Sequence, residues 1–104
     1  MKEKIDRQKL YELLTKIPRG KVITYGRLAK ALGNESRARA VGNILHKNPD
    51  GDKYPCYKVV NSRGEMSRAY AFGGMSEQQK RLEADGIEVI NGKIDLSIYG
   101  ADIE

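Results

Sequence analysis

Apolar residues recur at Ile5, Leu10, Leu13, Leu14 and Ile17, close to helical spacing, which predicts an amphipathic helix over residues 3–16 stopped by Pro18, Arg19 and Gly20. A short extended stretch, Lys21 to Thr24, follows. Thr24 has the side chain of an N-cap for a second helix carrying Tyr25, Leu28, Ala29 and Leu32, which Gly33 and Asn34 end. Ser36 is the next N-cap, opening a third helix from Arg37 to about Lys47, before Asn48 and Pro49. On this helix Ala38, Val41 and Leu45 share an apolar face, while Arg39, Gly42, Asn43 and His46 share a polar one. Two short helices separated only by Gly33 to Glu35 have the spacing of a helix-turn-helix, a plain helical hairpin being the alternative.

The second half reads as shorter pieces. A polar loop from Asp50 to Lys53 leads through Tyr54, Pro55, Cys56 and Tyr57 into a strand, Lys58-Val59-Val60, ended by Asn61 to Gly64. After a glycine-containing loop, Arg68 to Gly74, Ser76 is the expected cap of a helix through Gln79, Leu82 and Glu83, with Gly86 as its left-handed stop. The tail alternates Ile87, Val89 and Ile90, then Asn91-Gly92, then Ile94, Leu96 and Ile98, which predicts a terminal β-hairpin. The expected fold is therefore mainly α with a small β component, a winged helix-turn-helix-like single domain spanning residues 1–104.

With 104 residues, 39% of them hydrophobic and 32% charged, the chain has room for one core. No run approaches the ~18 apolar residues of a membrane span, and MKEKIDRQKL lacks the apolar stretch of a signal peptide, so the expectation is no membrane association and a cytoplasmic location, or a nuclear one in a eukaryote. Nineteen Lys and Arg against fourteen Asp and Glu give +5, which favours a polyanionic partner. Joined to the polar face of the third helix, where Arg37, Arg39, Gly42, Asn43 and Lys47 would meet a groove, that charge points to double-stranded DNA. A single cysteine, Cys56, and a single histidine, His46, make neither an internal disulfide nor a four-ligand zinc site. No metal and no cofactor are expected. By itself Cys56 reads as a small buried hydrophobe.

Its neighbours change that reading. The run Pro55-Cys56-Tyr57-Lys58-Val59-Val60 resembles the Pro-Cys-His-Arg-Val-Val/Ile active-site signature of the alkylguanine-DNA alkyltransferases, the methylated-DNA-protein-cysteine methyltransferases of direct repair. Pro18-Arg19-Gly20-Lys21-Val22-Ile23-Thr24-Tyr25-Gly26 is similar to that family's lead-in to its helix-turn-helix, and Arg37-Ala38-Arg39-Ala40-Val41-Gly42 to its recognition helix. Asn48-Pro49 matches an asparagine-proline pair ahead of the cysteine, Gly73-Gly74 a glycine pair in the pocket loop, and Asp85-Gly86 an acid-glycine position.

The resemblance implies that a flipped-out guanine gives up its O6 alkyl group to the Cys56 thiolate, once per molecule, because the thioether product has no good leaving group. Arg39 would fill the vacated stack, Tyr25 would stand beside the flipped nucleotide, and Asn48 would hold the active-site turn. Pro55, Phe72, Gly73 and Gly74 would complete the pocket with Tyr25. It implies a monomer acting on duplex DNA with alkylated guanine, without the separate N-terminal domain of many members. Tyr57 and Asp85 stand where the family has a base-forming histidine and its bracing glutamate, Phe72 replaces a serine, and the loop to Gly73 is about two residues longer. Tyrosine is a poor base at neutral pH, so either Lys53 and Lys58 lower the thiol pKa or Tyr57 and Asp85 form a relay through water. Two other readings stay open: a non-reactive alkyltransferase-like lesion sensor handing the site to a downstream repair protein, and a winged-helix regulator with an inert cysteine.

Overall fold

The computed structural model describes residues 6–33, 38–48, 53–66 and 74–101. Helix α1 (Arg7–Leu14) starts later than expected because the Asp6 carboxylate caps it, accepting from the Lys9 N–H. Strand β1 (Ile23–Thr24) runs straight into α2 (Tyr25–Ala31), whose first turn is capped by the Thr24 hydroxyl accepting from the Arg27 N–H. Helix α3 (Ala38–His46) packs against α2 as the second member of a helix-turn-helix, burying Val41 and Leu45. The expected cap Ser36, the turn residue Asn34 and the candidate contact Arg37 lie outside the described residues, as do Pro49, Phe72 and Gly73.

Past α3, a 3-10 turn at Cys56–Lys58 precedes strand β2 (Val59–Val60). Strands β1 and β2 pair in parallel, Ile23 with Val59 and Thr24 with Val60. Helix α4 (Gly74–Ala84) and the four-residue α5 (Leu96–Tyr99) complete the fold. The architecture is mainly helical with one two-stranded sheet. No described helix is long and apolar enough to cross a membrane.

Two expectations need correction. Ser76 does not cap α4, which is already under way at Gly74; Ser76 and Glu77 lie in its first turn, where an acidic side chain suits the positive end of the helix dipole. Gly86 does adopt the left-handed stop, with φ +87. The terminal hairpin forms only its turn. Asn91 and Gly92 take φ 54 and 74, and Ile90 and Lys93 exchange both backbone hydrogen bonds, at 2.9 and 3.0 Å. The arms go elsewhere: Lys93 bridges to Glu65, and the Asp95 carboxylate accepts from the Ser97 N–H and starts α5. Helix α5 then presents the Tyr99 carbonyl to the Val22 N–H at 2.8 Å. Ile94 is buried and Ile98 exposed, so the alternation never becomes a strand face.

Two apolar clusters sandwich the sheet. Leu10, Leu14, Ile23, Leu28, Val41, Leu45, Cys56 and Val59 form one; Val22, Val60, Met66, Leu82, Ile87 and Ile94 form the other, and Tyr57 packs on both. The polar boundary of the second cluster is tight at Gly64, which has φ +80 and whose carbonyl accepts from the Ile94 N–H at 2.9 Å. A Cβ there would overlap the Ile94 carbonyl oxygen, whereas at Gly33 (φ +95) it would meet open space. Gly64→Ala should cost at least about 2 kcal/mol, from left-handed strain plus backbone displacement, and Gly33→Ala only about 1. Thermal melts of the two variants test this ordering, with roughly 4–8 °C lost per kcal/mol in a domain of this size.

Candidate functional site

A cleft of about 960 Å³ opens between α2, α3 and the turn that bears the only cysteine. Among the described residues its walls include Tyr25 and Gly26 from α2, Arg39, Gly42, Asn43 and His46 from α3, then Lys47, and opposite them Cys56, Asn61, Ser62 and Gln78. Arg39, Asn43, His46 and Lys47 are exposed, because the period of α3 commits Val41 and Leu45 to the core and turns these residues outward. Gly42 faces the Tyr25 ring, where an added Cβ would lie 3.7 Å from Cε1, so a small residue at that position lets the aromatic ring settle against α3. The structure thus brings Tyr25, Arg39, Gly42, Asn43, Lys47 and Cys56 to one cleft; Asn48, Pro55, Tyr57, Gly74 and Asp85 are not among its described walls.

Local backbone geometry fixes the thiol. Pro55, at φ −74 and ψ 70, forms an inverse γ-turn in which the Cys56 N–H donates to the Tyr54 carbonyl at 2.7 Å. The same carbonyl accepts from Asn48 Nδ2 at 2.8 Å, which ties the turn to the end of α3. On the other side, Gln78 Nε2 of α4 donates to the carbonyls of Tyr57 (2.9 Å) and Val59 (3.1 Å). Sequence reasoning passed over Gln78, although its position four residues before buried Leu82 puts a polar side chain in core register, a usable signal.

Burial pushes the Cys56 thiol above its ordinary pKa; the hydrogen bond from Asn48, a backbone contribution and the positive charge of Arg81 act in the opposite direction without overcoming it. Arg81, half-buried on α4 in an ion pair with Glu77 (3.5 Å), is the charged side chain that acts on the thiol, in the place expected of Lys53 and Lys58 but without bringing the thiol down. Lys53 instead lies over the Tyr54 ring, 5.3 Å from its centroid. Lys58 is buried: its ammonium donates to the carbonyls of Ile17 and Pro18, both at 3.3 Å, and lies 3.4 Å from Asp85 Oδ2.

Asp85 and Tyr57 do come together, and Asp85 has further partners. The Asp85 carboxylate accepts from the Gly20 N–H at 2.9 Å, pairs with Lys58 and lies 3.7 Å from Arg19 Nη1. Tyr57 is half-buried, and its phenol is raised above its usual pKa first by burial and then by the Asp85 charge and a hydrogen bond to that carboxylate. Among the described residues no three His, Cys, Asp or Glu side chains converge as a metal site.

The family profile described as the DNA-binding domain of 6-O-methylguanine DNA methyltransferase matches residues 6–87. A bifunctional methyltransferase/endonuclease of Picrophilus torridus is 50% identical over 90 residues, 86% of this chain but only 30% of that protein, so the chain spans less than a third of this relative. A DNA base-flipping protein of Vibrio parahaemolyticus is 42% identical over 91 residues, covering 86% of this chain and 89% of the relative. Among solved structures, Schizosaccharomyces pombe Atl1 in complex with damaged DNA containing O6-carboxymethylguanine superposes with a TM-score of 0.86 at 32% identity, covering 99% of this chain and all of that one.

The ion pair under the thiol generates a stability prediction. Lys58 and Asp85 side chains are only 7% and 9% exposed, so Asp85→Asn strands a buried ammonium and should cost about 3 kcal/mol. Lys58→Met combined with Asp85→Asn should recover part of that loss, because no uncompensated charge is left inside. Urea unfolding of the single and double variants measures both; a double variant as unstable as the sum of its parts contradicts the pairing.

Proposed function

The chain belongs to the O6-methylguanine-DNA methyltransferase family, a family of DNA-damage recognition and repair, through its DNA-binding domain, and from this premise we propose that it binds duplex DNA with O6-alkylguanine and takes the alkyl group onto Cys56. The observation that carries the reading is that Cys56 opens on the same cleft as Tyr25, Arg39, Gly42 and Asn43. The O6 atom of a paired guanine lies inside the duplex stack, so the base must be turned out before a thiol can reach it. Arg39, exposed and carried on the rigid α3, has the reach and charge to occupy the vacated stack, and a cleft of about 960 Å³ has room for a nucleobase.

In the transfer itself the Cys56 thiolate attacks the alkyl carbon. The S–C bond forms as the C–O6 bond breaks, its electron pair leaves on the base, and the base is completed to guanine by a proton from water. The thioether that remains carries no leaving group, so each molecule reacts once. Asn48 and Arg81 favour the thiolate, burial opposes it, and the raised thiol makes the step slow at neutral pH.

A second reading has its own support. The raised thiol, and a tyrosine at position 57 in place of a histidine, suit a lesion sensor that holds the flipped base for another repair activity. The bifunctional relative, whose name joins a methyltransferase to an endonuclease, suggests strand incision as the class of reaction that follows. For a sequence-selective regulator, by contrast, affinity would follow sequence and ignore the lesion.

Incubating the protein with duplex DNA carrying one O6-methylguanine should add about 14 Da to the intact mass, at a rate climbing about tenfold per pH unit until the thiol pKa is reached. Cys56→Ser should abolish the adduct and leave duplex binding in place. No adduct after long alkaline incubation with bound lesion DNA would refute transfer and leave the sensor. Duplex affinity should fall steeply with salt as phosphate counterions are released. Arg39→Ala should diminish the fluorescence of a flipped base analogue at the lesion more than loss of one charge explains, measured against Lys47→Ala.

A further inference from the structure

The thiol-bearing turn is held to α3 at two places. One is the Asn48 amide described above. The other runs through a pair of aromatic rings: Tyr54, two residues before Cys56, stacks on Tyr11 of α1 with centroids 4.9 Å apart and planes 18° from parallel. Tyr11 is buried in the core beside Cys56, and its hydroxyl donates to the Ile44 carbonyl in the last turns of α3 at 3.2 Å. Ile44 stands between Asn43 and Leu45, both on the cleft wall.

We propose that the stacked pair Tyr11–Tyr54 is a positioning device that locks the Cys56 turn to α3, so that the thiol stays in register with a base that α3 delivers into the cleft; the proposal rests on the reading of Cys56 as acceptor. A turn anchored at one hydrogen bond pivots about it, and a second anchor removes that freedom. The carbonyl of Tyr54 is the hub, since it accepts from both the Cys56 N–H and the Asn48 amide and so spends both of its lone-pair positions on the site. Whatever orients Tyr54 therefore orients the thiol. Its ring is oriented by Tyr11, and Tyr11 is oriented by α3. Stacked rings of this kind are worth a factor of about three to ten in an equilibrium.

The test uses the full chain and three readouts: the rate at which iodoacetamide labels Cys56 without DNA at fixed pH, the affinity for lesion duplex, and the first-order methyl transfer within the bound complex. Tyr54→Leu should label about three to ten times faster, because the loosened turn admits reagent to a thiol now only 6% exposed, and transfer more slowly by a similar factor. Duplex affinity should stay within about twofold, a separation of rate from binding that general destabilisation does not give. Tyr54→Phe keeps the stack and should restore both rates. Tyr11→Leu should behave like Tyr54→Leu, with the double variant no worse than either single change. If Tyr11→Leu fails to fold, the Tyr54 series decides alone. Labelling by Tyr54→Leu equal to that of the unmodified chain, or no recovery in Tyr54→Phe, overturns the proposal. Failure of the unmodified chain to form a methyl adduct would instead remove the transfer reading, while labelling still reports on the device.

Discussion

A buried ammonium has few stable surroundings, and Lys58 has one assembled from two distant parts of the chain. The carbonyls of Ile17 and Pro18 come from the turn after α1, and the Asp85 carboxylate from the end of α4. Because Asp85 also accepts from Gly20 and neighbours Arg19, the lead-in to β1 is pinned against the end of α4. Lys58 closes the 3-10 turn that begins with Cys56, so the buried ammonium and the buried thiol belong to one turn, each residue 6% exposed. Burial at that depth is also what raises the thiol pKa, and stability and reactivity are set against each other at one residue.

The helix-turn-helix was legible because it is governed by local rules. Thr24 is a capping residue at the start of α2, and the Val41 and Leu45 spacing of α3 assigns its exposed and buried faces without any knowledge of partners. The hairpin misled for the opposite reason: Asn91-Gly92 specifies a turn, but whether arms extend from it depends on what lies alongside, and Glu65, Gly64 and Val22 claim those backbone groups. The parallel pairing of β1 with β2 had no local signature, since two residues are too few to show a period.

The chemical site divides in the same way. Cys56, Asn48 and Pro55 stand out through their order and spacing, yet the partners that tune them do so across long sequence separations. Asp85 was legible as an acid near Tyr57 but not as the counter-charge of Lys58. Arg81 acts on the thiol from 25 positions away, with nothing in its own neighbourhood to announce it. Tyr11 was not singled out by the periodicity of α1, and its stack with Tyr54 shows only in the fold.

The parallel pair of two-residue strands carries a topological meaning beyond its size. Most of the cleft, from Tyr25 through α3 to the Cys56 turn, lies in the chain between Thr24 and Val59, with Asn61, Ser62 and Gln78 closing it from beyond, and those strands are hydrogen-bonded neighbours. This stretch is an excursion that starts and ends at one gate, while Leu28, Val41, Leu45 and Cys56 keep it packed in the core in between. Closing the gate requires the whole excursion to be looped first, a cost in chain entropy that grows only slowly with its length, which makes insertions in its loops tolerable. Opening the gate would still leave α3 and the thiol held by that shared core and by the Tyr11 bond to Ile44, so the sheet is one tie among several on the site.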